Sequence, residues 1–183
     1  MAKAAPNRAK AETLSLRISP DLKFGLELFS RMEERSLTTE VEKALGELFD
    51  RTTVERGFLG VTIVGCKKQY REVCFSEVVA LIYTVDAPTR LLRTAILLPR
   101  TLSQKDFAIL ELVSNNSAFL GDSKNVFSAT YGHDELLKDI LDEYYRFNKP
   151  LNIKALRKNW AKINEVVDFA LEHGHYPDDL TWE

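Results

Sequence analysis

From residue 13 the chain alternates, with Leu14, Leu16 and Ile18 on one side and Thr13, Ser15 and Arg17 on the other. A period of two predicts a short, half-buried strand over residues 13–18. The period then lengthens. Ser19-Pro20-Asp21 supplies an N-cap hydroxyl, a proline at the first helical position and an acid in the first turn, so a helix is predicted from here to about Glu34. Leu22, Leu26, Phe29 and Met32 recur at helical spacing, and Phe24 and Leu28 widen the stripe. After a turn through Arg35 and Ser36, Thr38 is the N-cap candidate of a second helix. Its apolar face holds Val41, Ala44, Leu45, Leu48 and Phe49, and it fades near Arg51.

Residues 52–57 read as a linker, and residues 58–183 as a second, helix-rich domain. Residues 58–64 are β-branched and suit a strand, whereas residues 75–85 and 91–98 fit buried helices or buried strands equally, leaving an α+β arrangement open. Ser103 caps an apolar helix through Val113. Leu136, Leu137, Ile140, Leu141 and Tyr144 mark another helix, and Leu156, Trp160, Ile163, Val167 and Leu171 the last one, with Pro150 between them. The tail after Gly174 is expected to be irregular. The fold expected is therefore mainly α, with an N-terminal β-ribbon.

Charge changes this picture locally rather than globally. The 183 residues carry 25 Lys+Arg against 27 Asp+Glu, a net charge of −2, so the whole chain does not advertise a polyanionic partner. Residues 1–12 hold no spaced apolar positions and are expected to be a flexible basic arm. Across residues 1–19, Lys3, Arg8, Lys10 and Arg17 stand against the single acid Glu12, a local charge of +3. A second basic run holds Arg146, Lys149, Lys154, Arg157, Lys158 and Lys162 without one acid, interleaved with Phe147 and Trp160. Its cations lie in the N-terminal half of the last helix, opposite to what the helix dipole favours. The run is either a surface for DNA backbone or an acidic partner, or a solvated face with Trp160 in the core. Two cysteines, no basic-apolar leader and no apolar stretch near the ~20 residues of a span predict a cytoplasmic protein without a membrane partner.

The order of strand, capped helix, turn and capped helix resembles the ribbon-helix-helix DNA-binding domains of the Arc and MetJ repressor class. The resemblance rests on Leu14-Ser15-Leu16-Arg17-Ile18-Ser19-Pro20-Asp21-Leu22 and on Ser36-Leu37-Thr38-Thr39-Glu40-Val41-Glu42-Lys43-Ala44-Leu45, within residues 13–51. The turn near Glu34 holds no glycine where that family often has one. The resemblance implies a homodimer, with two dimers often needed on adjacent half-sites, that represses transcription by binding double-stranded DNA. Thr13, Ser15 and Arg17 would then contact bases, Arg17 being able to grip a guanine with two hydrogen bonds. Ser36, Thr38 and Thr39, at the start of the second helix, would contact phosphate. Lys3, Arg8 and Lys10 in the arm, and Lys154, Arg157 and Lys158 in the last helix, would add auxiliary contacts.

Other chemistry is poorly supported. Gly60-Val61-Thr62-Ile63-Val64-Gly65-Cys66-Lys67 begins like a phosphate-binding loop but has Cys66 where lysine is required. Cys66 and Cys74 lack zinc-ligand spacing, and His173 and His175, with Asp178 and Asp179 near, read as exposed tail residues rather than metal ligands. Asp134 beside His133 reads as a cap, and Ser123 has no nucleophile context. Neither an enzyme nor a cofactor is expected. Three rival roles remain open. The chain is an accessory protein of plasmid transfer or partition, an antitoxin whose second domain recruits a protein partner, or a sensor whose second domain binds a small effector.

Overall fold

A computed structural model of the chain describes residues 15–54, 73–121, 126–127, 148–177 and 179–182. The predicted strand at residues 58–64, the helix through Leu136 and Tyr144, and the arm at residues 1–12 lie outside the described residues, as do Thr13 and Leu14. By its internal contacts the chain divides into two units, Met1–Gly46 and Glu47–Glu183.

In the first unit, residues 15–19 lead into α1 (Pro20–Met32), and α2 (Leu37–Arg51) follows a tight turn and crosses the division. The expected β-ribbon is not found among the described residues. Residues 15–19 carry no regular secondary structure, and no β-strand occurs among the described residues. Alternation marks a face but supplies no partner, and a strand exists only where a neighbour takes its backbone N–H and C=O groups. Leu16 and Ile18, expected to face a core, are exposed.

Pro20 starts α1 as predicted, but Ser19 makes no side-chain cap bond. Its hydroxyl instead bonds the Asp21 carboxyl, which that bond and the backbone N–H groups of Asp21 and Leu22 hold below the usual carboxylate range. The turn is closed by Glu34, which takes the left-handed conformation at φ 53° that a glycine would adopt without strain. Its neighbours hold it there. The Ser30 hydroxyl donates to the Arg35 carbonyl at 3.0 Å, and the Arg35 guanidinium reaches the buried Glu40 carboxylate at 3.4 Å.

The second unit is helical, with α3 (Phe75–Ile82), α4 (Ala87–Leu97), α5 (Gln104–Ser114) and α6 (Ile153–His173). Short 3-10 turns cover Pro99–Thr101 and Ser117–Phe119. Two isolated antiparallel bridges, Thr53 with Cys74 and Leu120 with Leu151, are its β-type pairings among the described residues. The segments that periodicity left undecided are α3 and α4. Leu91, Leu92, Ala95, Ile96 and Leu97 of α4 are all buried, so apolar residues surround much of that helix and blur its period. Asp86 caps α4 by accepting from the Thr89 amide at 3.2 Å.

Ser103 caps α5 as predicted and shares a reciprocal box with Asp106, with backbone-to-side-chain bonds of 3.2 and 2.9 Å. Asn152 caps α6 through the amides of Lys154 and Ala155. Helix α6 packs against α4, α5 and the Ser117–Phe119 turn. Val78, Ile96, Leu97, Phe119, Ile163 and Val167 form the most enclosed part of this core. Each such side chain contributes about 1.5–3 kcal/mol through removal from water.

One cation lies in that core. Arg93 of α4, 5% exposed, donates from Nε and Nη2 to the Val126 carbonyl at 3.1 Å and from Nη1 to the Leu81 carbonyl at 3.3 Å. Its guanidinium also lies over the Phe127 ring. Burial lowers its pKa, and the negative charge of Asp86 partly restores it.

Candidate nucleic-acid interface

The helices of the first unit are amphipathic, yet their apolar faces are not covered. Among its described residues only Ser30 and Glu40 are buried. Leu22, Phe24 and Met32 are 60%, 61% and 78% exposed, and Leu16, Ile18, Leu28, Phe29, Leu37 and Leu45 are exposed beside them. Gly25 and Gly46 face open space where a side chain would stand. The polar positions of the segment before α1 are equally accessible, because Ser15 and Arg17 are both exposed. Thr13, Lys3, Arg8 and Lys10 lie outside the described residues.

At the start of α2 the cap is Ser36, two residues before the expected Thr38. Ser36 Oγ accepts from the Thr39 amide at 3.1 Å and lies 2.8 Å from the Thr39 hydroxyl. The first helical bond runs from the Glu40 amide to the Ser36 carbonyl, so the preceding amides of Leu37 and Thr38 belong to the open N-terminal turn. Ser36, Thr38 and Thr39 are all exposed there. The Glu40 carboxylate in the same turn opposes an incoming anion, and the Arg35 guanidinium at 3.4 Å offsets it. These three residues are brought together. Ser36 and Thr39 already satisfy one another, which leaves Thr38 and the first amides as the most available donors.

The basic run of the second unit resolves differently. Arg157 Nε holds Asp86 Oδ1 at 2.9 Å, and its Nη2 reaches the Thr89 hydroxyl at 3.3 Å. Burial pushes the Asp86 carboxyl up, but the Thr89 hydroxyl, the Arg157 bond and the Thr89 amide together bring it below its ordinary value. Arg157 therefore locks α6 to the cap of α4. Lys162 donates to the Thr181 carbonyl and lies over the Trp182 ring, while Trp160 packs against the core. Lys154 and Lys158 are exposed on α6. Arg146 and Phe147 lie outside the described residues.

Sequence reasoning did not find the Asp86–Arg157 pair or the Lys105–Asp168 contact at 2.6 Å, whose partners lie far apart in the chain. It also missed an open cleft of about 560 Å³ in the second unit, walled by Ala95, Pro99, Leu102, Phe107 and Leu110 with Glu111 beside them. Among the described residues, no three His, Cys, Asp or Glu side chains converge as a metal site and no helix is long and apolar enough to cross a membrane. Comparison with protein families, curated proteins and solved structures finds no match to this chain.

Proposed function

We propose that the chain is a sequence-specific DNA-binding protein that acts as a homodimer and represses transcription by occupying an operator. The observation that carries this reading is the uncovered apolar face of α1 and α2 next to an exposed segment bearing Ser15 and Arg17. A unit whose described residues bury no large apolar side chain needs a second surface, and a second copy supplies an identical one through two-fold symmetry. Pairing repeats the polar groups as well. Two copies of Arg17 and Ser15 offer donors suited to base edges, and two α2 N-termini offer amides and hydroxyls suited to phosphate. The resemblance carried by residues 14–22 and 36–45 supports the same role. A two-stranded ribbon is no part of this reading.

The test is selection of bound duplexes from a random pool by the full chain at fixed, stated salt. Enrichment of a motif with two related halves is expected. Arg17→Ala should weaken the selected site by about 1–3 kcal/mol and relax one position in each half. A folded chain that enriches nothing, or an Arg17→Ala variant with unchanged affinity and specificity, overturns the assignment.

The cleft favours one addition, that a small effector bound in the second unit modulates DNA affinity. Its apolar wall is joined by Glu111, Ser114 and Asn148, polar groups suited to orienting a small ligand in an open cleft.

A further inference from the structure

The last turn of α6 brings three rings together. Phe169 and His173 stack at 4.1 Å with planes 13° apart, and His175 meets the edge of Phe169 at 5.6 Å. The two imidazole centres are 6.4 Å apart. Gly174 makes this possible. It caps α6 at φ 77°, a conformation costly for any residue with a Cβ, and its amide closes on the Ala170 carbonyl at 2.8 Å. The chain reverses there, so that His175 returns to the side of the helix from which His173 projects.

The hydrogen bonds of these rings matter more than their proximity. Nδ1 of His173 lies 2.9 Å from the Phe169 carbonyl, and Nδ1 of His175 lies 3.1 Å from the Tyr176 carbonyl. A carbonyl can only accept, so in each neutral ring the proton sits on Nδ1 and the lone pair on Nε2. A backbone carbonyl on the far nitrogen is also how metal-ligating histidines are commonly oriented and made more basic. In the sequence no Lys or Arg follows Lys162, whereas several acids do, of which Asp168 is paired with Lys105.

We infer that His173 and His175 form a binding site for one divalent transition ion of the imidazole-preferring class, Zn2+ or Cu2+. Nε2 of each ring is a ligand, and water fills the remaining positions. With metal–nitrogen bonds of about 2.0–2.1 Å, two imidazoles on one tetrahedral ion have centres about 5 Å apart, so the pair closes by roughly 1 Å on binding. His175 lies on an exposed, non-helical stretch that can make that adjustment. The site is open rather than caged. It is independent of the DNA-binding reading and requires no second copy.

The test uses the full chain without an affinity tag. Zn2+ is titrated calorimetrically, and Cu2+ is used to broaden imidazole proton resonances. One ion per chain is expected, with selective broadening of two of the three histidines. His173→Gln and His175→Gln should each weaken Zn2+ binding at least ten-fold, since a direct ligand is worth no less than the 10–100-fold of an outer partner. His133→Gln should leave it unchanged. Binding that survives both substitutions, that depends on only one of the pair, or that is lost in His133→Gln overturns the proposal. Equal affinity for Mg2+ also overturns it, because it would mark acidic-surface attraction rather than nitrogen ligation.

Discussion

Replacing Arg93 with Met removes a buried cation while keeping most of the aliphatic volume of its stem. The loss is worked from three of the bonds it makes. The Val126 carbonyl gives up two donors at 3.1 Å and the Leu81 carbonyl one at 3.3 Å. Each buried oxygen left without a donor costs about 1–3 kcal/mol, and the contact with the Phe127 ring is worth about 0.5–2 kcal/mol more. Against this, Met spares the dehydration of a guanidinium, a term of several kcal/mol. The net expectation is destabilisation by about 2–3 kcal/mol. With a urea slope near 2 kcal/mol/M, the midpoint falls by about 1–1.5 M. Arg93→Lys should lie between, because one ammonium keeps the charge but cannot reproduce the fork spanning two carbonyls. Equilibrium unfolding followed by circular dichroism at one fixed protein concentration measures this. An Arg93→Met chain as stable as the parent would refute the reasoning, showing that the bonds do not recover the dehydration they require.

Three further outcomes follow from other parts of the molecule. Asp86 has a folded pKa below its unfolded value, so the stability it confers is complete above the unfolded carboxylate range near 4 and disappears as pH falls through the folded value. The parent should therefore exceed Asp86→Asn in urea midpoint at pH 6, and the gap should close on acidification towards pH 3; a gap independent of pH would count against the Arg157 and Thr89 bonds. Glu34→Gly relieves a left-handed cost of about 1–2 kcal/mol but adds backbone freedom to the unfolded chain, for a net gain of about 0.5–1 kcal/mol, while Glu34→Val should lower the melting temperature. If both variants melt with the parent, the turn does not hold that conformation. Met32→Ser, counted once in each of two copies and scaled by its 78% exposure, should weaken self-association by about 2.3–4.7 kcal/mol, roughly 50- to 3,000-fold. Sedimentation at several concentrations reads this directly, and an unchanged association constant would remove α1 from the pairing surface.

What was legible in the sequence was local. Pro20 at a helix start, the Ser103 cap and the spacing of Leu156, Ile163 and Val167 each concern residues within a few turns, and the structure has a helix at each place. The failures share a different cause. Leu14, Leu16 and Ile18 alternate like a strand, but pairing is a property of two segments, and periodicity in one cannot supply the other. Arg157 reads as a free cation until Asp86, 71 residues earlier, is placed against it. Glu34 reads as an ordinary helix end, because nothing in its type signals a left-handed backbone. In the candidate interface, residue types at Ser36, Thr38 and Thr39 suggested anion contacts, yet only the geometry separates the cap from the donors that remain available.

The apolar stripe of α1 has a consequence for the life of the chain in a cell. On the pairing proposed above, a newly made copy exposes Phe24 and Met32 until it meets another, and in that interval it carries the surface by which quality-control proteases and chaperones select clients. Below the pairing constant the protected species grows as the square of chain concentration, so halving synthesis removes about three quarters of it. Turnover of the unpaired chain sharpens this dependence further. On that reading the protein behaves as a threshold device whose active level follows its rate of synthesis, with a steepness written into a helix face that no described residue of its own chain covers.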